Sequence, residues 1–293
     1  MTSCGFTLIE LLVVISIVAL LVAVLIPAMS RARKQAKAVV CRVTLRQWAT
    51  TLSTYATDYQ GRFPREEYSA IWMLTARDLN LPPGNTDSFS PDANKVSDLY
   101  PIRAKGRLCS AAVRPTDGSA GVGASYIYGG VTWRFNFLFG TTFQAWTLTE
   151  PGPPLSVSYG LNRWLFDVQP IAATMFSAPG PSFTNIDSFR QPGRIPVLLD
   201  ARGPYGLPKS DSLAPPETED AFPAQSRMNP FCIARHQGSV NCLFLDWSVR
   251  KVEIKELWTL KWHKDFDTAN AWTHAGGMAT EDWPAWMRGL KEY

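Results

Sequence analysis

Three histidines, His236, His263 and His274, and five cysteines, Cys4, Cys41, Cys109, Cys232 and Cys242, are dispersed along 293 residues. The side chains that most often ligate metals or act as nucleophiles are therefore few. His236 and Asp246 flank a segment that reads as a turn, and an imidazole with a carboxylate is the smallest acid–base or metal-binding pair. A ten-residue offset does not fix both on one face, and no HExxH spacing exists. No catalytic role and no metal are expected at His236; a hydrogen bond that orders the turn is. His263-Lys264-Asp265-Phe266-Asp267 offers two carboxylates at alternate positions, a fragment of a calcium loop without its full set of oxygen ligands. Calcium is the one cofactor this leaves open, and no other is expected. Gly118-Ser119-Ala120-Gly121 has the wrong spacing for a nucleophile elbow. The Gly-rich stretch 116–130 lacks the Lys-Ser/Thr end of a phosphate loop. Trp258, Trp262, Trp272, Trp283 and Trp286 offer flat faces either for sugar rings or for a core.

Glu10 poses a different chemical problem. It is the single charge between Phe6 and Met29, a run that ends at Arg31, Arg33, Lys34 and Lys37. As a helix, such a run reaches about 36 Å, enough to cross a bilayer core with some tilt. A carboxylate in that setting is costly unless it is paired or lies near the headgroups. Two readings follow: Glu10 snorkels to the headgroups, or it meets a cation.

The elements that carry these residues follow from periodicity. Cys41, Leu45, Trp48, Leu52, Tyr55 and Tyr59 recur every three or four residues, so the helix continues beyond the span with one apolar stripe. Pro27 is expected to kink it, Gly61 to cap it, and Pro64 lies just beyond. Residues 68–80 read as a second short helix. Residues 131–149, 156–166 and 194–200 read as strands, the last buried and ending in an acid. Residues 203–230, rich in Pro and acids, read as a long surface loop. The segment 231–247 reads as strand, Gly-containing turn and strand. Net charge is +4, matched by the basic group after the span. No basic stripe interleaved with aromatics points to nucleic acid.

Gly5-Phe6-Thr7-Leu8-Ile9-Glu10 and the apolar run after it closely resemble the class III signal of type IV pilins and type II secretion pseudopilins. The resemblance implies cleavage after Gly5 by a prepilin peptidase and N-methylation of Phe6. In the filament, Glu10 would then meet the terminal amine of a neighbouring subunit. It also implies an α+β, pilin-like fold in which a long N-terminal membrane-spanning helix packs on an antiparallel β-sheet. The domains would be a leader at 1–5, a transmembrane or filament-core helix at 6–29, an amphipathic continuation at 30–60 and a globular domain at 61–293. The implied partners are sibling subunits, secretion or pilus assembly machinery and the bacterial inner membrane, with the globular domain periplasmic or extracellular. One departure is that Met1-Thr2-Ser3-Cys4-Gly5 lacks the basic residue usual in such leaders. The charges after the span, taken alone, would favour a cytoplasmic domain.

Two further segments resemble a prepilin-like family abundant in planctomycete and verrucomicrobial bacteria. They are Asp58-Tyr59-Gln60-Gly61-Arg62-Phe63-Pro64, and His236 followed by Asp246, where Trp247 replaces the family's Gly. With the leader removed, four cysteines allow two disulfides in three pairings, or buried free thiols. Cys232 and Cys242 would face each other if the turn between them has three residues. The competing reading is a membrane-tethered periplasmic enzyme or glycan-binding domain that uses the signal only for export.

Overall fold

A computed structural model describes residues 7–63, 104–117, 121–128, 131–150, 154–165, 186, 189–221 and 227–293. The Gly5–Phe6 junction, Pro64 and the expected helix at 68–80 lie outside the described residues. Helix α1 (Leu8–Asp58) runs 51 residues without a break through Pro27, about 76 Å at the usual rise. It is long and apolar enough to cross a membrane by length and composition. No residue from Leu8 to Val40 is buried. From Cys41 onward the expected stripe turns inward: Cys41, Leu45, Trp48, Leu52 and Tyr55 are buried, and Tyr59 stacks on Tyr55 with ring centroids 4.3 Å apart. At the C-terminus Gln60 and Gly61 both take positive φ, and Gly61 N–H bonds Ala56 C=O at 2.7 Å, closing the helix with a Schellman turn.

The α+β architecture is as expected, and among the described residues the mostly antiparallel strands of the globular part form two sheets. The first contains β1 (Arg114–Pro115), β2 (Gly121–Tyr128), β3 (Val131–Leu138), β4 (Gln144–Glu150) and β5 (Leu155–Val157). Its order is β1-β4-β3-β2, with β5 also on β4. The second contains β6 (Tyr159–Asn162), β7 (Pro196–Asp200), β8 (Tyr205–Gly206), β9 (Ser239–Phe244) and β10 (Val249–Glu253), in the order β10-β9-β7-β6-β8. Pairing is antiparallel except at two short edges, β1 with β4 and β6 with β8. Helix α1 lies against β9 and β10. Its stripe shares one core with Trp146, Tyr159, Leu198 and Leu243, while a second core gathers Phe231, Trp258, Trp262 and Trp283.

The expected hairpin over 231–247 is corrected. Its turn exists: Gln237 and Gly238 both have positive φ, and His236 N–H bonds Ser239 C=O at 2.9 Å. That is the backbone of a tight two-residue turn. Its first strand does not exist, because β7 and β10 occupy both edges of β9. Residues 231–233 instead bond locally, Phe231 N–H to Met228 C=O and Cys232 N–H to Asn229 C=O. Cys232 and Cys242 therefore do not oppose one another, and both are buried free thiols. The disulfide that does form joins Cys41 to Cys109.

Candidate functional site: an exposed apolar helix and a buried cystine centre

The N-terminal half of α1 presents Glu10 with a partner from its own first turn. Thr7 N–H donates to Glu10 Oε2 at 2.9 Å and Thr7 Oγ1–H at 2.7 Å, while Glu10 N–H donates back to Thr7 Oγ1 at 3.3 Å. This capping box satisfies backbone donors that the start of a helix leaves open. The sequence reading offered headgroups or a neighbouring cation; the cap is a third state that it missed. The S/T-x-x-E spacing of Thr7 and Glu10 was the available signal. Beyond the cap, the large side chains from Leu8 to Met29 are exposed, and the basic residues Arg31, Arg33, Lys34 and Lys37 follow, also exposed.

A second cluster forms where α1 first meets the globular domain. Cys41 is the first buried residue of the helix. Cys109 follows a 3-10 turn at Ala104–Arg107 that is itself tied to α1, since Trp48 Nε1–H donates to Gly106 C=O at 2.7 Å. The bonded sulfurs abut His236, whose Nε2 is 3.3 Å from Cys109 Sγ and 3.1 Å from Asp200 Oδ2. Asp200 ends the fully buried strand β7, and its Oδ2 also accepts Asn241 N–H at 2.8 Å. Arg235 lies beside it with Nη1 3.5 Å from Asp200 Oδ1. The Arg235 donors also reach the carbonyls of Thr142 (2.7 Å), Ser158 (2.6 Å), Thr141 (3.2 Å) and Ala201 (3.0 Å). One guanidinium thus ties the loop before β4 to β7 and the start of β6.

Electrostatics explain why a carboxylate tolerates this interior. Burial alone would raise the pKa of Asp200, but the hydrogen bond and charge of His236, the charge of Arg235 and the Asn241 N–H outweigh it. Asp200 is held below the usual carboxylate range. Burial also drives the nearby Tyr159 hydroxyl upward, so it stays neutral. An acid–base relay is not built here. Both His236 contacts use the same ring nitrogen, whereas a nucleophile–base–orienter triad needs both. The adjacent sulfur is already bonded.

The pair weighed from sequence, His236 with Asp246, is not brought together. Asp246 is exposed in the β9–β10 turn, where its Oδ1 accepts Ser248 N–H at 3.0 Å and Ser248 Oγ–H at 2.6 Å. Trp247 takes φ 65° in the same turn, a conformation that glycine adopts without cost, and its ring faces Phe63 at 6.3 Å. Asp265 and Asp267 are exposed, and Asp267 Oδ1 caps Ala269 N–H at 2.9 Å. His263 is buried between Trp164 and Phe266. The tryptophans are core elements: Trp258, Trp262 and Trp283 are buried, and Trp286 Nε1–H is spent on Pro215 C=O at 2.9 Å.

Asp200 is the participant that sequence reasoning passed over. It was visible as an acid ending a buried apolar strand, and a carboxylate there demands a partner.

No curated protein and no solved structure matches the chain. Residues 1–26 match the family model of the prokaryotic N-terminal methylation motif. With a 51-residue helix whose first half is wholly exposed, and a sheet-bearing domain behind it, the chain carries a prepilin-type signal on a pilin-like architecture.

Proposed function

We propose that this protein is a structural subunit of a type II secretion or type IV pilus-like filament, matured by prepilin peptidase and stored in the inner membrane. The observation that carries the reading is the methylation motif over residues 1–26, continuous with an apolar helical surface from Leu8 to Met29 that nothing in the chain covers among the described residues. In the membrane lipid covers that surface; in a filament, neighbouring helices do. The activity is packing, so the reading calls for no catalysis and no cofactor. Orientation draws support from the Cys41–Cys109 disulfide, which begins only twelve residues after Met29 and belongs to an oxidising compartment. It favours a periplasmic domain over the cytoplasmic one that the basic residues suggest. Glu10 has two exclusive partners in this scheme. Its cap on Thr7 serves the single subunit, and the amine of a neighbouring Phe6 replaces it on assembly.

Co-expression with a prepilin peptidase tests maturation. The intact mass is expected to lack Met1 to Gly5 and to gain one methyl; an uncleaved chain in a host with active peptidase refutes it. Glu10→Ala should be cleaved normally yet lose crosslinking to sibling subunits. Unchanged crosslinking would leave Glu10 with only its cap.

A further inference from the structure

The cystine centre has the composition of a metal site held in its oxidised form. Cys41 Sγ, Cys109 Sγ and His236 Nε2 all lie within 4.8 Å of one another and are buried. Around a tetrahedral zinc, sulfur–sulfur and sulfur–nitrogen separations are about 3.8 and 3.5 Å, from bonds of about 2.3 and 2.0 Å. The Cys109 Sγ–His236 Nε2 distance of 3.3 Å is already close to that edge. Asp200 Oδ2, 3.1 Å from the same nitrogen, is the oxygen that faces the position a metal would take from the Nε2 proton.

Two observations beyond spacing support a ligand here. Ser110 N–H points at Cys41 Sγ from 3.1 Å, while the Ser110 hydroxyl donates to Lys37 C=O at 3.0 Å. Donors aimed at a sulfur stabilise a thiolate more than a disulfide sulfur, and outer-shell hydrogen bonds of this kind fix metal ligands. The charges also close. Asp200 and Arg235 offset one another, and a divalent zinc with two thiolates adds no net charge.

We propose that Cys41, Cys109 and His236, with Asp200 at the fourth position, bind one zinc ion when the disulfide is reduced. A dithiol or phosphine supplies two electrons and two protons to the S–S bond, giving two thiols and the oxidised reductant. Zinc then displaces both thiol protons to solvent, and His236 binds through a proton-free Nε2 with its remaining proton on Nδ1. The cystine and the zinc site are alternative clamps between α1 and the globular domain, selected by redox state. The expectation of no metal at His236 weighed that residue with its sequence neighbours; the nearer cysteine lies 127 residues away.

The test uses full-length chain purified in detergent. One preparation comes from cells with normal thiol oxidation, the other from cells lacking the periplasmic oxidant and kept under a phosphine. Mass spectrometry should find about one zinc per reduced chain and none in the oxidised one. Cobalt in place of zinc should give a thiolate-to-metal absorption band. The Cys232→Ala/Cys242→Ala variant should keep the metal, and His236→Ala should weaken its retention against a chelator at least 10-fold. X-ray absorption on wild-type zinc, which needs no variant to fold, should show two sulfurs and at least one imidazole. No zinc and no cobalt band in reduced wild type would overturn the proposal. So would metal that follows Cys232 and Cys242, or a shell without imidazole.

Discussion

Removing the Cys41–Cys109 bond by Cys41→Ala/Cys109→Ala probes the unfolded chain more than the folded one. The bond closes a loop with a sequence separation of 68. In the chain-entropy description a loop of that length removes about 15 cal/mol/K from the unfolded ensemble, or about 4.4 kcal/mol at 25 °C. The folded state loses little by comparison, because Trp48 still bonds Gly106 and Ser110 Oγ still donates to Lys37 C=O at 3.0 Å. For a domain of this size each kcal/mol moves Tm by about 2–4 °C, so the variant should melt about 9–18 °C lower. The assay is urea and thermal unfolding of the full chain in detergent, followed by tryptophan fluorescence, since Trp48, Trp146, Trp258 and Trp262 are all buried. A loss below about 1 kcal/mol would refute the reasoning, because the loop would then be constrained without its crosslink.

Two other perturbations follow from the same packing. Trp48→Ala empties the middle of the helix stripe and orphans the Gly106 carbonyl, so unfolding free energy should fall by about 3–5 kcal/mol; a change under 1 would mean that α1 is not seated on the domain. His263, buried between Trp164 and Phe266, has its pKa pushed down from 6.5 to about 4 by burial. The unfolded imidazole takes up a proton that the folded one refuses, so the stability this group contributes is present above about pH 6.5 and is lost as pH falls through 4. His263→Phe should flatten that limb of the Tm–pH curve, while the further fall at lower pH from Asp200, whose folded pKa is also depressed, should remain. An identical curve in the variant would show that His263 titrates freely.

What the sequence made legible was whatever repeats at short range. The period of Cys41, Leu45, Trp48, Leu52 and Tyr55 found the buried face of α1, and the apolar run of 196–200 found β7. Pairings between distant segments were not legible. Cys41 and Cys109 meet because a 3-10 turn is anchored on Trp48, and no spacing rule encodes that. The 231–247 hairpin was misread for a related reason: local strand and turn residues were present, but β7 had already taken the edge of β9 that the hairpin needed. His236 was singled out through Asp246, its neighbour in sequence. Its partners are Asp200 and Cys109, and only the folded sheet brings them to it.

The position of Cys41 along α1 also decides how force enters this molecule. The residues from Leu8 to Ala36 project about 43 Å ahead of the first contact with the domain, so tension on the N-terminus arrives through a bare rod. A rod laid on a surface peels from its leading edge, where the load falls on one contact at a time. Here two hydrogen bonds lead, from Ser110 to Lys37 C=O and from Asn241 to Ala38 C=O, and the covalent bond at Cys41 lies immediately behind them. The weaker contacts behind it, from Leu45 to Tyr59, are shielded from being opened one by one and can fail only together, in shear.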